Sequence, residues 1–134
     1  MKKFKFEKSY DFIERTIQNY GFCCDMASAI VTCAEYAVRY KMDGMDDEAG
    51  LFMSSALTYA FMFTFTGAGR FYLYEVDKLD LNEFDRIIYC ALKLVEAEFK
   101  DKPYEVSRPL LDDLIDAIDE YIDFKECDEE NNSD

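Results

Sequence analysis

Residues 51–76 read LFMSSALTYAFMFTFTGAGRFYLYEV, and the secondary structure of this stretch decides the fold. No charged residue occurs from Ala49 to Gly69. A membrane span needs about 20 mainly apolar residues, but this stretch contains several serines, threonines and glycines, and the chain around it is amphipathic. TGAGRF lacks the spacing of the phosphate-binding glycine motifs. We therefore expect a buried segment of a globular domain rather than a membrane anchor or a phosphate loop.

Two secondary structures are compatible with this stretch. A helix over residues 47–66 would be apolar on nearly all sides, as expected of the central helix of a bundle. In the alternative, the helix ends near Tyr59 and FMFTFT forms one strand of a hairpin, with alternate phenylalanines on one face. The helix is favoured because its length matches that of the helix predicted over residues 80–99. Gly67-Ala68-Gly69 would then form the turn that follows it.

Apolar residues at helical spacing predict four further helices. These cover approximately residues 10–20, 26–42, 80–99 and 107–124. The fold class is therefore mainly α, a single-domain bundle of about five helices within residues 1–124. Residues 125–134 are predicted to be an acidic, disordered tail. The minor alternative adds a two-stranded β element made of residues 2–7 and 71–76.

Polar residues at the predicted helix starts suggest specific caps. Asp46 or Asp47 would cap the central helix, and Asp80 has capping-box spacing to the glutamate three residues later. Ser107 would cap the last helix, with Pro109 in its first turn, where a missing N–H does no harm.

The charge of the chain is concentrated near its C-terminus. The formal net charge is −14, and residues 110–134 hold eleven acidic residues and one lysine, which together account for −10. Within the last predicted helix the acidic residues all lie off the apolar stripe. The candidate partner-binding residues are Asp112, Asp113, Asp116, Asp119, Glu120 and Asp123, together with Tyr121 as an anchoring aromatic if it lies at the edge of the stripe.

The spacing of these carboxylates is of the same order as that of nucleic acid charges. At 1.5 Å per residue, Asp112 and Asp123 are roughly 16 Å apart, so six carboxylates lie about one per 3 Å of helix axis. Duplex DNA presents about one charge per 1.7 Å. Like charges four residues apart destabilise a helix by tenths of a kcal/mol per pair. One hypothesis is that this surface binds a basic partner. The simpler alternative is a solvated helix face that only maintains solubility.

Residue types that are absent narrow the possible chemistry. The chain has no histidine, which removes the commonest general base and metal ligand. The chain has five cysteines, no CxxC pair and no recognisable signal peptide, which predicts free thiols in a reducing cytoplasm.

Two acidic patterns have the spacing of metal sites. DDLID (112–116) matches the DDxxD pattern of magnesium–diphosphate sites, and EFKD (98–101) supplies one ExxD. No second matching cluster accompanies either, so we expect no metal, no cofactor and no catalytic residue.

The sequence therefore favours a non-enzymatic acidic protein that occludes a basic, nucleic-acid-binding protein partner, without binding nucleic acid or membrane itself. Anti-CRISPR and anti-restriction proteins, and immunity proteins that neutralise nucleases, often share small size, acidity and the lack of catalytic residues; such a partner would occur in a phage or bacterial setting. This is an analogy of class. The alternatives are a small magnesium-dependent all-α hydrolase with clustered carboxylates and a structural or adaptor helical protein.

Overall fold

Five helices make up the part of the chain that the structure, a computed structural model, describes: residues 26–77 and 81–131, with side chains as far as Cys127. They are α1 (Met26–Met42), α2 (Asp46–Phe63), α3 (Gly67–Tyr74), α4 (Glu83–Phe99) and α5 (Tyr104–Asn131). The described residues contain no strand, which confirms the mainly α helical bundle. The predicted helix over residues 10–20 and the predicted strand over residues 2–7 lie outside the described residues.

The helices pack as two pairs of neighbours in sequence, α1 with α2 and α4 with α5, and the two pairs are joined through α4. Among the described helices, α4 contacts all four others. One cluster of buried side chains connects all five helices. Its largest fully buried members are Ile30, Ile87, Ile88, Leu92, Leu94, Leu114 and Ile118. Small residues on α1 and α2, including the buried Ala34 and Ala60, allow these two helices to form the most extensive contact.

The decisive stretch forms two helices instead of one helix and an exit turn. α2 ends at Phe63, close to the predicted end, so the hairpin alternative is wrong. The chain then bends by 98°, and residues 67–74 form α3. The predicted turn at residues 67–69 and the predicted strand at residues 71–76 are therefore both corrected. The cause is a capping signal at Thr66, whose hydroxyl donates to the Phe63 carbonyl (2.7 Å) and accepts from the Gly69 N–H (3.0 Å).

Two predicted helix starts, those of α2 and α4, also need correction. The N-cap of α2 is Met45, without a side-chain hydrogen bond, and the predicted caps Asp46 and Asp47 lie in the first turn, where their charge complements the helix dipole. The N-cap of α4 is Asn82, whose side chain accepts from the Asp85 N–H at 2.8 Å, so the capping box predicted from residue 80 is not what starts the helix.

The last helix is longer than predicted at both ends. α5 begins at Tyr104, so Ser107 is not its N-cap, and Pro109 lies inside the helix rather than in its first turn. At its other end the helix continues to Asn131, so the predicted boundary at Lys125 marks no change in secondary structure. The proline is tolerated because the start of this helix is exposed, where a missing N–H costs less than it would in the core.

Hydropathy and helix length indicate whether a described helix could cross a bilayer. No single helix there is both long and apolar enough to cross a bilayer. α2 and α3 reach the required length and hydropathy only when taken together, across the 98° bend between them.

Two buried groups, Cys33 and Tyr59, and one half-buried group, Tyr72, make stability sensitive to alkaline pH. Burial raises the pKa of Cys33 from 9.0 to about 12 and that of Tyr59 from 10.0 to about 12. Burial, followed by the hydrogen bond that Tyr72 donates to Asp85 (2.8 Å), raises the pKa of Tyr72 to about 12. Each group is therefore held neutral in the folded chain at a pH where the unfolded chain would ionise it.

We expect the free energy of unfolding to fall as the pH rises from about 9 towards about 12. The folded state holds these protons more tightly, so their contribution is complete below the unfolded pKa values and is lost above them. Each group removes up to about 1.4 kcal/mol per pH unit. Urea denaturation at pH 8 to 11 measures the change. Cys33→Ala should flatten the slope between pH 9 and 10, and a free energy that stays constant to pH 11 would contradict the prediction.

Candidate functional site

The structure places the six predicted carboxylates on one exposed face of α5. At about 100° per residue, they occupy roughly a third of the helix circumference. The opposite side of the helix is buried through Leu114, Ala117, Ile118 and Ile122. We call this surface the acidic face, and its members are Asp112, Asp113, Asp116, Asp119, Glu120 and Asp123, all of them exposed.

Two of these six carboxylates have a basic partner within the described residues. Arg108 donates to Asp112 at 3.3 Å, four residues along the same helix. Arg86 of α4 donates to Glu120 at 2.6 Å. No ion pair joins the other four members to any described lysine or arginine. Because both observed pairs are exposed, each contributes at most about 1 kcal/mol to stability. A competing cation could therefore replace the arginines at low cost.

A groove separates the acidic face from α4. It has a volume of about 500 Å³ and is lined on the α5 side by Asp113, Asp116 and Glu120. The α4 side supplies Arg86 and Lys93. The groove therefore offers acidic groups on one wall and basic groups on the other, which makes this edge of the acidic face less negative than the outer edge formed by the remaining carboxylates.

Ion pairs fix the orientation of α5 relative to α1. Lys125 donates to both oxygens of Glu35 at 2.9 and 3.2 Å. Glu35 also accepts from Arg39 at 2.9 Å, and Arg39 reaches Glu126 at 3.5 Å. Burial alone would lower the pKa of Lys125, but its hydrogen bond to Glu35 and the negative charge of Glu35 together outweigh that effect, and the pKa is raised. The Glu35 side chain is only 12% exposed, so removing its partners would leave a poorly solvated charge.

The surroundings of Asp119 in the acidic face disfavour its ionised form. Partial burial, then the charges of Asp116 and Asp123, raise the pKa of this carboxyl group. A raised carboxyl pKa means that the folded state disfavours the ionised form, so at neutral pH the group reduces stability and the cost disappears as the pH falls through the folded pKa. The ionised Asp119 side chain therefore lowers the stability of the folded chain at neutral pH.

Replacing Asp119 with asparagine is expected to stabilise the protein while weakening partner binding. The change removes two like-charge contacts of about 0.2–0.5 kcal/mol each. Thermal denaturation at pH 7 would show a small rise in melting temperature, and the gain should shrink as the pH falls through the raised pKa of Asp119, because its carboxyl group is then neutral in the unmodified chain as well. Asp43→Asn, at an exposed turn outside the acidic face, is the control. A destabilised Asp119→Asn variant would contradict the repulsion argument.

The predicted aromatic anchor lies apart from the acidic face. Tyr121 is half-buried on the core side of α5, where its ring packs edge-on against Phe84 at 6.3 Å. The Lys125 ammonium lies 5.4 Å from the centre of the same ring. Phe124, which the sequence analysis did not select, is 53% exposed and borders the acidic residues. Its position off the apolar stripe of the helix was the available signal.

The carboxylate patterns with metal-site spacing do not converge. Asp112 and Asp116 of DDLID are exposed on one helix, and Glu98 and Asp101 lie at the end of α4. In the part of the chain that the structure describes, no group of three or more Asp, Glu, Cys or His side chains is arranged to hold a metal ion.

Comparison with protein-family models, with curated proteins and with solved structures found no match to this chain.

Proposed function

We propose that the chain is a non-enzymatic binding protein whose acidic face occupies the nucleic-acid-binding surface of a basic protein. One observation carries this proposal: six exposed carboxylates share one side of a helix whose other side is packed in the core, and four of them have no ion-pair partner among the described residues. Acidic residues on a merely solvated helix are usually interleaved with lysine or arginine. Within α5 the basic residues are Arg108, which borders the acidic face, and Lys125, which pairs with Glu35 of α1.

The spacing of the charges supports mimicry of a nucleic acid strand. Asp112 and Asp123 are roughly 16 Å apart along the axis, so the mean spacing is about 3 Å per carboxylate. A single strand of duplex DNA presents one phosphate per about 3.4 Å. Lysine and arginine side chains that are arranged along a phosphate backbone can therefore meet carboxylates at a similar interval. Arginine forms bidentate pairs with carboxylate as it does with phosphate.

The helix presents these charges on a fixed support. α5 is held by its contact with α4 and by the pairs between Glu35, Arg39 and Lys125. A surface that is ordered before binding loses less conformational entropy in the complex. Phe124 would add an apolar contact beside the charges, as aromatic residues do at the centres of interfaces. Electrostatic attraction would increase the rate of association, and added salt would weaken this attraction.

Capture of the partner followed by competition with DNA tests the proposal. The purified chain is immobilised and exposed to an extract of the cells that produce it, and the retained proteins are identified by mass spectrometry. We expect a basic, nucleic-acid-binding protein that is released by a 20-base-pair duplex and by moderate salt. Bovine serum albumin, which is also acidic, serves as the immobilised control.

Two outcomes would refute the proposal. One is a retained protein without a basic surface. The other is a complex that excess duplex DNA fails to dissociate. If this chain occupies the partner's nucleic-acid-binding surface, DNA and this chain must compete for the partner.

A further inference from the structure

A small aromatic pocket lies between the end of α2, residues 70–74 of α3 and the end of α4. Its volume is about 210 Å³. The side chains that define it are Phe61, Phe65, Tyr74 and Phe99, with Arg70 and Lys100 at its mouth. We call this feature the aromatic pocket. It is built from residues other than those of the acidic face.

The rings of the aromatic pocket contact one another but remain open to solvent. Phe61 lies 5.2 Å from Phe65 and 5.4 Å from Phe99, measured between ring centres. Phe65 is 62% exposed, Tyr74 is 65% exposed and Phe99 is 67% exposed. Burial of an aromatic side chain contributes more free energy than burial of other common apolar side chains. A cluster of exposed rings forgoes this contribution unless a partner covers it.

The volume of the aromatic pocket indicates the size of what it can hold. Sites for small-molecule ligands and cofactors usually measure about 300–1,000 Å³. A volume of 210 Å³ is below that range and suits one bulky apolar side chain. Pockets of this kind accept the anchoring residue of a partner protein at an interface hot spot.

Charge at the mouth of the aromatic pocket indicates the chemistry beside that side chain. Arg70 is exposed, and no ion pair joins it to any other residue that the structure describes. Lys100 lies 3.8 Å from Glu96, the one acidic residue that lines the pocket. Glu96 also accepts a hydrogen bond from Tyr74 at 2.6 Å. The mouth therefore presents a net positive charge on a chain whose net charge is −14.

We propose that the aromatic pocket binds a peptide segment of a partner protein in which a bulky apolar side chain is next to a carboxylate. The apolar side chain fills the space between Phe61, Phe65 and Phe99, and the carboxylate pairs with Arg70. This site differs from the acidic face in charge and in location, so it would engage an acidic segment instead of a basic surface. The inference does not depend on the function proposed for α5.

Two peptides that differ by one charge test the proposal directly. They are Gly-Phe-Asp-Gly and Gly-Phe-Asn-Gly, both acetylated and amidated, titrated into the ¹⁵N-labelled full chain at 150 mM salt. We expect amide shifts for residues of the aromatic pocket and a dissociation constant of about 1 mM for the aspartate peptide. The asparagine peptide should bind about fivefold more weakly, the effect of one partly exposed ion pair.

Two variants separate the apolar contribution from the ionic one. Arg70→Gln should bring the affinities of the two peptides together, because it removes the partner of the carboxylate. Phe99→Ala should abolish the shifts with both peptides, and it should leave the fold intact because the Phe99 side chain is largely exposed.

Three results would overturn the inference. The first is the absence of shifts in the aromatic pocket at 10 mM peptide. The second is equal affinity of the two peptides for the unmodified chain. The third is a change in the same resonances with protein concentration alone, which would show that a second copy of the chain occupies the pocket.

Discussion

Replacing Gly69 with alanine is expected to destabilise the protein by about 3 kcal/mol or more. A Cβ atom at this position would lie 1.9 Å from the Phe63 carbonyl oxygen and 2.7 Å from its carbonyl carbon. Both atoms belong to the backbone, so no side-chain rotation can relieve the overlap. The sharp bend between α2 and α3 would have to open, and the cap made by Thr66 would be lost with it.

Thermal and urea denaturation measure this effect. A loss of 3 kcal/mol would lower the melting temperature by roughly 10 °C for a chain of this size. Gly67→Ala is the matched control, because a Cβ at that position meets no atom within 4 Å. It should leave stability unchanged or raise it by about 0.4–1 kcal/mol through the lower entropy of the unfolded chain. Similar melting temperatures for the two variants would contradict the close-approach argument.

Reversing three charges of the acidic face is expected to reduce partner affinity by at least about 100-fold. The variant carries Asp112→Lys, Asp116→Lys and Asp119→Lys, which changes the net charge from −14 to −8 because each reversal adds two charges. It would place lysines opposite the partner's own lysines and arginines. The remaining binding should depend less on salt, and isothermal titration at two salt concentrations measures both effects.

A charge-matched variant separates the acidic face from total charge. Asp43→Lys, Glu75→Lys and Glu98→Lys reverse three exposed residues outside α5 and give the same net charge of −8. It should bind the partner with nearly unchanged affinity once salt screens long-range effects. Both variants should melt within a few degrees of the unmodified chain, because all six positions are exposed. Equal losses in the two variants would show that charge alone, and not the acidic face, attracts the partner.

Local signals allowed much of the fold to be predicted. The helix predicted over residues 26–42 matches α1, and the apolar spacing located α4 and the central part of α5 within a few residues. The helix boundaries were less accurate. Ser107 followed by Pro109 is a favourable start by local rules, yet α5 begins at Tyr104, and the added first turn is exposed, where the missing N–H of Pro109 costs less than it would in the core.

The short helix α3 could not be predicted from its local sequence pattern. FYLYEV alternates in the manner of a strand, and a glycine pair before it is usual in a hairpin turn. Strand pairing needs a partner strand, and the described residues supply none. The close approach of Gly69 to Phe63 became visible only in three dimensions, so the aromatic pocket could not be predicted from the sequence.

The sequence by itself determined which residues of α5 carry negative charge and that they share one side of a helix, because helical periodicity is a property of the local chain. Only the tertiary structure decided which charges have partners. Arg86 reaches Glu120 from α4, and Glu35 holds Lys125 from α1, across sequence separations that no local pattern reports. Only the tertiary structure, likewise, brought the rings of three helices together at the aromatic pocket, because that contact depends on the bend between α2 and α3.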